Sequence, residues 1–252
     1  NKFQYISESL MMINIKKLIK INNFSEIDEK YDSIICDIWG VIHNGHELFS
    51  SSVECLLRYK KLGYPIILVT NAPRPSSEIK VILEKMGLNE KCYDKIITSG
   101  DLTQKILNKG DLGSSCYHIG PDRDLKVFEG VNVKRVDFEN ADFIFVTGLY
   151  DDENENEESY LPLLELAKKR NLKLLCANPD IWVQRGNELV PCAGAISKKY
   201  KSIGGDTINI GKPFSPIFDE ALKQIEFISE NNKNSTIVIG DGIDTDIKGA
   251  NN

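Results

Sequence analysis

Paired cysteines are the first thing this sequence lacks. Its six cysteines, at 36, 55, 92, 116, 176 and 192, are scattered, with no CxxC pair and no zinc-like spacing. Several sit inside apolar runs, which marks them as reduced core residues of a cytoplasmic protein rather than a disulfide framework. An apolar run long enough for a membrane span is also missing. The nearest approach, Leu10 to Ile21, is interrupted by Lys16, Lys17 and Lys20, and no small-residue cleavage site follows it. An amphipathic leading helix is expected there instead, and no membrane partner. Excess positive charge is absent as well. The 31 Lys and Arg against 37 Asp and Glu leave a net charge of −6, which argues against a general binder of nucleic acid or anionic membranes. A local cation or metal can still reverse the field inside a cleft, so a small anionic substrate stays compatible. Internal repeats, low-complexity linkers and coiled-coil heptads are not found. The sequence starts on Asn1 and stops a few residues past a motif, which leaves completeness at either end open.

What is present reads as an ordinary globular chain. Its 252 residues, 41% hydrophobic and 27% charged, allow one large domain or two small ones around a real core. The run Ile34-Ile35-Cys36 is short, apolar and mostly β-branched, and it ends abruptly in Asp37 before Gly40 and Gly45. A buried parallel strand that delivers a carboxylate to the ligand-binding edge of its sheet has this form. Ser50 to Ser52 offer an N-cap for a helix that Gly63 closes, and Pro65 to Val69 is a second buried strand. Ser76 to Met86 reads as a helix, Ile96-Ile97 as a strand, and a further helix runs to about Asn108. This alternation predicts βαβ units and a mostly parallel sheet in an α/β fold.

From about Asp111 the texture changes while the alternation continues. Strands are expected at Cys116 to Ile119, Phe143 to Val146, Leu174 to Cys176, Thr207 to Ile210 and Thr236 to Ile239. Helices are expected at Leu161 to Arg170, Ala193 to Ile203 and from Ser215 or Pro216 to Ser229. The acidic run Asp151 to Glu158 reads as a solvated loop whose last carboxylates favour the following helix N-terminus.

Four strand ends then carry Asp37, Thr70-Asn71, Lys212, and Asp241 with Asp246. Each alone is compatible with turn chemistry, a surface charge or a helix N-terminus. Together they supply a nucleophile, a hydroxyl with backbone donors, a cation and metal-binding carboxylates, which is equipment for phosphoryl transfer.

The ordered set Cys36-Asp37-Ile38-Trp39-Gly40-Val41, Val69-Thr70-Asn71-Ala72-Pro73-Arg74, Ala177-Asn178-Pro179-Asp180, Gly211-Lys212-Pro213 and Gly240-Asp241-Gly242-Ile243-Asp244-Thr245-Asp246 resembles the haloacid dehalogenase (HAD) superfamily, class IIA hydrolases. It is most similar to an uncharacterised branch in which Asp-x-Trp-Gly-Val replaces Asp-x-Asp-Gly-Val. The resemblance implies a three-layer, Rossmann-like α/β core with a parallel sheet, formed by residues 1–110 and 207–252, and an inserted α/β cap over 111–206. It implies a Mg²⁺-dependent phosphatase acting on a small phosphorylated metabolite. Asp37 would be the nucleophile that becomes an aspartyl phosphate. Thr70 and the amide of Asn71 would hold phosphate oxygens, and Lys212 would neutralise charge on both nucleophile and phosphate. Asp37, Asp241, the backbone carbonyl of Trp39 and a supporting Asp246 would hold Mg²⁺. In the cap, Asn178, Asp180 and Arg185 are the expected substrate contacts, with Arg74 a weaker one. Relatives of this class often associate through their caps, so a homodimer through the cap is an open expectation.

Trp39 departs from the pattern. Phosphatases of the superfamily carry there the Asp that protonates the leaving group and activates water, whereas indole donates one hydrogen bond and shuttles no proton. That help is typically worth about 10² to 10⁴ in rate. Three explanations stay open at this point. His43 or His46 substitutes as proton carrier, the substrate has a good leaving group, or the protein is a catalytically weak phosphate-ligand binding or regulatory protein.

Overall fold

The structure, a computed structural model, describes residues 19–27, 30–185, 188–229 and 235–251. The leading helix expected over Leu10 to Ile21 falls mainly outside the described residues. The described strands, in chain order, are β1 (Ser33–Asp37), β2 (Ile66–Thr70), β3 (Lys95–Thr98), β4 (Ser115–Ile119), β5 (Lys134–Arg135), β6 (Phe143–Val146), β7 (Lys173–Cys176), β8 (Trp182–Arg185), β9 (Glu188–Pro191), β10 (Thr207–Asn209) and β11 (Thr236–Ile239). They form two all-parallel sheets, ordered β11-β1-β2-β3 and β10-β7-β6-β4-β5, and an antiparallel hairpin of β8 and β9.

Near-continuous apolar runs form the central strands because both faces of each sheet are covered. Along the first sheet Ile35, Ile67, Val69 and Ile97 face one side, and Ile34, Cys36, Ile66, Leu68 and Ile96 face the other. The second set packs against Leu56 and Tyr59 of helix Ser50–Lys61 and Ile79 and Leu83 of helix Ser76–Lys85. The first set joins Ile217, Phe218, Ala221 and Ile225 of helix Ser215–Ser229 and then Cys116, Phe143, Phe145 and Leu175 of the second sheet. One continuous core therefore ties the two sheets together. On the far face of the second sheet, Ile144, Val146, Leu174 and Cys176 pack on Leu164, Ala167, Ile196 and Tyr200. Each Ile, Leu, Val or Phe among these, fully buried, contributes about 1.5–3 kcal/mol.

The α/β class with parallel sheets expected from the alternation is what the chain adopts. All six cysteines are free, and five are buried. No helix among the described residues is long and apolar enough to cross a membrane.

Three local expectations differ from the structure. Ser50 is already helical, and the N-cap is Phe49, which makes no side-chain cap bond. The strand Thr207–Asn209, expected to open the return to the first sheet, pairs with β7 in the second. Within the acidic run, Asp152 is not solvated, because Arg123 and Arg185 both close on it.

Candidate active site

The strand ends of the first sheet meet at one cleft. β1 pairs with β2 so that Asp37 lies beside Val69, and with β11 so that Cys36 lies beside Ile239. This register sets Asp37, Thr70 and the Gly240-Asp241 turn along one edge. A cavity of about 600 Å³ opens there, lined among others by Asp37, Trp39, Thr70, Asn71, Asp180, Lys212, Asp241 and Asp246. The four motifs read from the sequence do converge.

Lys212 is the centre of the charge arrangement. Its Nζ lies 2.5 Å from Asp37 Oδ1 and 2.8 Å from Asp246 Oδ1, and all three side chains are at most 8% exposed. Burial alone would lower the Lys212 ammonium, but Asp37, Asp246 and Asp180 outweigh it and hold it above its ordinary value. Burial raises the Asp37 carboxyl, Asp246 adds to the rise, and Lys212 opposes it; the balance lies at about 7. Asp241 is likewise raised, by burial and then by Asp246. Two such charges about 4 Å apart interact by roughly 4 kcal/mol at an effective dielectric of 20.

Carboxylate oxygens of Asp37, Asp241 and Asp246 all lie within 4.8 Å of one another. With Asp180 these make four carboxylates around one buried ammonium, a surplus of negative charge that a hard divalent cation would relieve. The donor set therefore fits such an ion. Two glycines make room for it. An added Cβ at Gly40, where φ is +85°, would stand 2.2 Å from Asp241 Oδ2, and one at Gly240 would stand 2.1 Å from Asp246 Cγ. Asp246 is further fixed by the amide of Gly242 at 3.2 Å and the Thr245 hydroxyl at 3.3 Å.

Asn71 acts as a clamp behind the cleft. Its Oδ1 accepts from the Lys212 amide at 2.7 Å, and its Nδ2 donates to the Lys212 carbonyl at 3.1 Å and to Asp180 Oδ1 at 2.8 Å. The Thr70 hydroxyl accepts from the Ala72 amide at 3.2 Å, which fixes the turn after β2. That turn is packed tightly against helix Ser99–Lys109: a Cβ at Gly100 would meet the Pro73 carbonyl at 2.4 Å. Thr98 and Asp101 form a capping box at the start of the same helix.

Trp39 has a built seat. Its ring stands edge-on to His43 at 5.1 Å, and a side chain at Gly45 (φ +93°) would collide with it. Its Nε1 donates to the backbone carbonyl of Gln184 at 2.9 Å, so the first sheet's loop is bonded to the β8–β9 hairpin. His43 is buried behind it and its Nδ1 accepts from the Gly45 amide at 2.9 Å. Burial lowers its pKa, which favours the neutral ring. His46 is exposed, and neither histidine lines the cavity. The geometry gives no support to either as the proton carrier.

Of the three residues expected across the cleft, Asp180 reaches the main cavity. Burial raises its carboxyl, and Lys212 opposes the rise. Asn178 and Arg185 line a smaller adjoining cavity with Arg74, Arg123, Asp124 and Asp152. The last three escaped the sequence reading, and no local pattern marks them, because Arg123 and Asp152 meet across 29 positions.

A family model described as haloacid dehalogenase-like hydrolase matches residues 34–134, and a HAD-hydrolase-like model matches 209–252. The chain is 26% identical over 223 residues to an acid sugar phosphatase of Staphylococcus haemolyticus, covering 87% of this chain and 81% of that one. It is 26% identical over 220 residues to the 5'-nucleotidase YutF of Bacillus subtilis, covering 86% and 82%. Among solved structures, a haloacid dehalogenase-like hydrolase from Brucella suis 1330 superposes with a TM-score of 0.87 at 41% identity, covering 92% of this chain and 85% of that chain. Likeness at that level, over nearly all of both chains, accounts for the converging strand ends: the chain belongs to the haloacid dehalogenase-like hydrolase family.

Proposed function

We propose that the chain is a Mg²⁺-dependent phosphomonoester hydrolase that acts on a small phosphorylated metabolite through an aspartyl phosphate on Asp37. The observation that carries this reading is Lys212, a buried ammonium touching both Asp37 and Asp246. A cation so placed favours a dianionic ester beside a carboxylate that would otherwise repel it. The relatives named as a sugar phosphatase and a nucleotidase point the same way.

In this reading an Asp37 oxygen attacks phosphorus, the ester P–O bond breaks, and the departing alkoxide takes its proton from water. Water then attacks the acyl phosphate, the bond to Asp37 breaks, and the carboxylate and inorganic phosphate are released with a proton. The Thr70 hydroxyl and Asn71 amide would hold the non-bridging oxygens while Lys212 offsets their charge. Held by Asp37, Asp241, Asp246 and the Trp39 carbonyl, Mg²⁺ would supply the further positive charge that the carboxylate surplus calls for. Residues 111–206, with the strand Thr207–Asn209 added, would serve as the cap. The Trp39–Gln184 bond would draw its hairpin over the nucleophile and limit water. Asn178, Asp180 and Arg185 would contact the substrate beyond its phosphate.

Trp39 also favours a second reading, a phosphate-ligand binding protein with little turnover, since its one side-chain N–H is committed to Gln184. The test is turnover of a panel of phosphate esters and acetyl phosphate by the purified chain, with and without Mg²⁺, beside Asp37→Asn. Turnover requiring both metal and Asp37 establishes the hydrolase. Mg²⁺-dependent binding of a phosphate mimic without turnover establishes the binding protein. Trp39→Asp separates them further. In a hydrolase limited by the missing proton carrier it raises kcat on poor leaving groups by about 10²-fold, and acetyl phosphate gains little.

A further inference from the structure

We infer that Asp180 is the proton carrier of the hydrolysis, taking over the task of the carboxyl that Trp39 replaces. The inference deepens, and rests on, the phosphomonoester reading above; what it adds to the substrate contact named there is a proton.

The cavity narrows the choice. Its bordering carboxyls are Asp37, Asp180, Asp241, Asp244 and Asp246. In the reading above Asp37 attacks and Asp241 and Asp246 hold the metal, so those three are needed ionised. Asp244 is exposed on the turn that carries Asp246, and neither His43 nor His46 borders the cavity. Asp180 remains. It arrives from the second sheet, on the turn after β7, and its side chain makes no hydrogen bond to Asp37, Asp241 or Asp246. Trp39 and Asp180 both border the main cavity and the smaller one beside it, so the carboxyl stands over the same space as the residue whose task it takes.

Asp180 is built into this place. Its Oδ1 accepts from Asn71 Nδ2 at 2.8 Å, and Asn71 Oδ1 in turn accepts from the Lys212 amide at 2.7 Å. One side-chain amide thus ties the carboxyl to the lysine whose ammonium touches the nucleophile. The Asp180 amide donates to Asn178 Oδ1 at 3.1 Å, and its carbonyl accepts from the Gly194 amide at 3.1 Å. At Gly194 an added Cβ would stand 2.5 Å from that carbonyl oxygen. Oδ2 has no hydrogen-bond partner among the described residues, and the residue is half-buried on the cavity wall. Burial raises the carboxyl against the pull of Lys212 and Asn71, which favours the protonated form from which an acid starts.

The two half-reactions balance on one proton. As the ester P–O bond breaks, protonated Asp180 gives its proton, through one water, to the departing oxygen, which leaves as an alcohol. Water then attacks the acyl phosphate and gives a proton to the Asp180 carboxylate. Asp37 and inorganic phosphate are released, and the carrier returns to its starting form.

The test compares 4-nitrophenyl phosphate with benzyl phosphate, two ring esters of which only the second leaves as a strong base. Both are assayed with Mg²⁺ in the wild-type chain and in Asp180→Asn, which keeps an acceptor for Asn71 and carries no acidic proton. For benzyl phosphate kcat/KM should fall by about 10²-fold, and for the nitrophenyl ester by less than about threefold, because its leaving group needs no acid. On the nitrophenyl ester the variant should also release about one nitrophenolate per chain in a burst, since the aspartyl phosphate has lost its base. Trp39→Asp should gain about tenfold more on benzyl phosphate in the Asp180→Asn chain than in the wild type. Equal losses on the two esters, or equal gains from Trp39→Asp in the two chains, overturn the assignment and leave Asp180 a positioning residue. A wild-type chain that hydrolyses the nitrophenyl ester and not the benzyl ester overturns it too. Should neither ester turn over in the wild type, the hydrolase reading itself fails and takes the proton carrier with it, a result distinct from the others. Thermal melts of Asp180→Asn separate loss of the proton from loss of the fold.

Discussion

The two parallel sheets are built alike and finished differently. Both have fully buried apolar strands covered on two faces, and both present the C-terminal ends of their strands at an edge. At the first sheet that edge carries Asp37, Thr70 and Asp241 and opens into the larger cavity. At the second, the turns close down on the strand ends: an added Cβ at Gly120 would strike the Thr147 hydroxyl, and one at Gly148 would touch the Pro121 ring. There Thr147 meets His118 at 3.0 Å, while the turns after β7 and β10 send Asp180 and Lys212 across into the larger cavity. The parallel architecture supplies an edge, and the residues placed on it decide how much room it leaves: about 600 Å³ at the first and about 140 Å³ where the second narrows. Charge crowding at the first edge weakens the empty fold, so activity and stability should respond in opposite ways at the two sheets.

Asp37→Asn breaks the comparison most severely. Turnover should fall by at least about 10⁴-fold, the scale on which removal of a catalytic nucleophile acts. Stability without Mg²⁺ should hold or rise, because a neutral amide relieves the carboxylate crowding that raises Asp37. Urea melts with and without Mg²⁺, beside steady-state rates, check both halves, and a large loss of stability would contradict the crowding argument. The converse substitution is Phe145→Ala in the second sheet. Phe145 is fully buried in the core cluster shared by both sheets, so about 3–5 kcal/mol of stability should go. The kcat/KM of the remaining folded protein should stay within a few fold. A collapse of kcat/KM with the fold intact would mean that the second sheet positions the chemistry more directly than its edge suggests.

Between these extremes, Gly40→Ala tests whether the glycine beside Asp241 is there for the carboxylate. With φ at +85° and a Cβ 2.2 Å from Asp241 Oδ2, alanine must strain the backbone and displace the ligand. Mg²⁺ affinity should drop by about 10–100-fold, the range for losing a supporting contact at a metal site. A Mg²⁺ titration of activity reads it. Gly63, also at positive φ but with open space around it, is the control. Its alanine variant should lose some stability and no metal affinity.

The contrast between the sheets also explains what the sequence disclosed. β1 and β2 were legible because each is a short apolar run ending abruptly in a polar residue, and their register follows from βαβ order. Lys212 and Asp246 were legible as motif members, while their contact through one ammonium needed the fold. The bond from Trp39 to the Gln184 carbonyl joins positions 145 apart and uses a backbone acceptor, so no side-chain pattern announces it. Asp152 was hidden by its neighbours. In a run of acidic residues composition says solvent, and only Arg123 and Arg185 arriving from elsewhere withdraw it. Sequence periodicity reports which face a residue takes, and it is silent on what another segment brings to that face.

The smallest effect is a pH dependence confined to the second sheet's edge. Burial, with Arg135 adding to it, lowers His118 to about 4, while in the unfolded chain it titrates near 6.5. Between these values the unfolded chain takes up a proton that the folded chain refuses. The contribution of His118 is therefore complete above pH 6.5 and is lost as pH falls toward 4. Asp124, close by and bonded to the same Thr147, runs the other way. Burial raises it to about 6 against the pull of Arg74 and Arg123, so its contribution is complete below its unfolded value and is lost as pH rises through 6. The two slopes oppose each other across most of pH 4 to 6 in the wild-type chain. His118→Asn keeps a polar group beside Thr147 and removes one slope. Relative to wild type, this variant should gain roughly 2 kcal/mol between pH 7 and pH 4.5, read as a shift in urea midpoint. Parallel pH profiles for the two proteins would mean that His118 is solvated enough to keep its ordinary pKa, and that the second edge is less sealed than its glycine-packed turns imply.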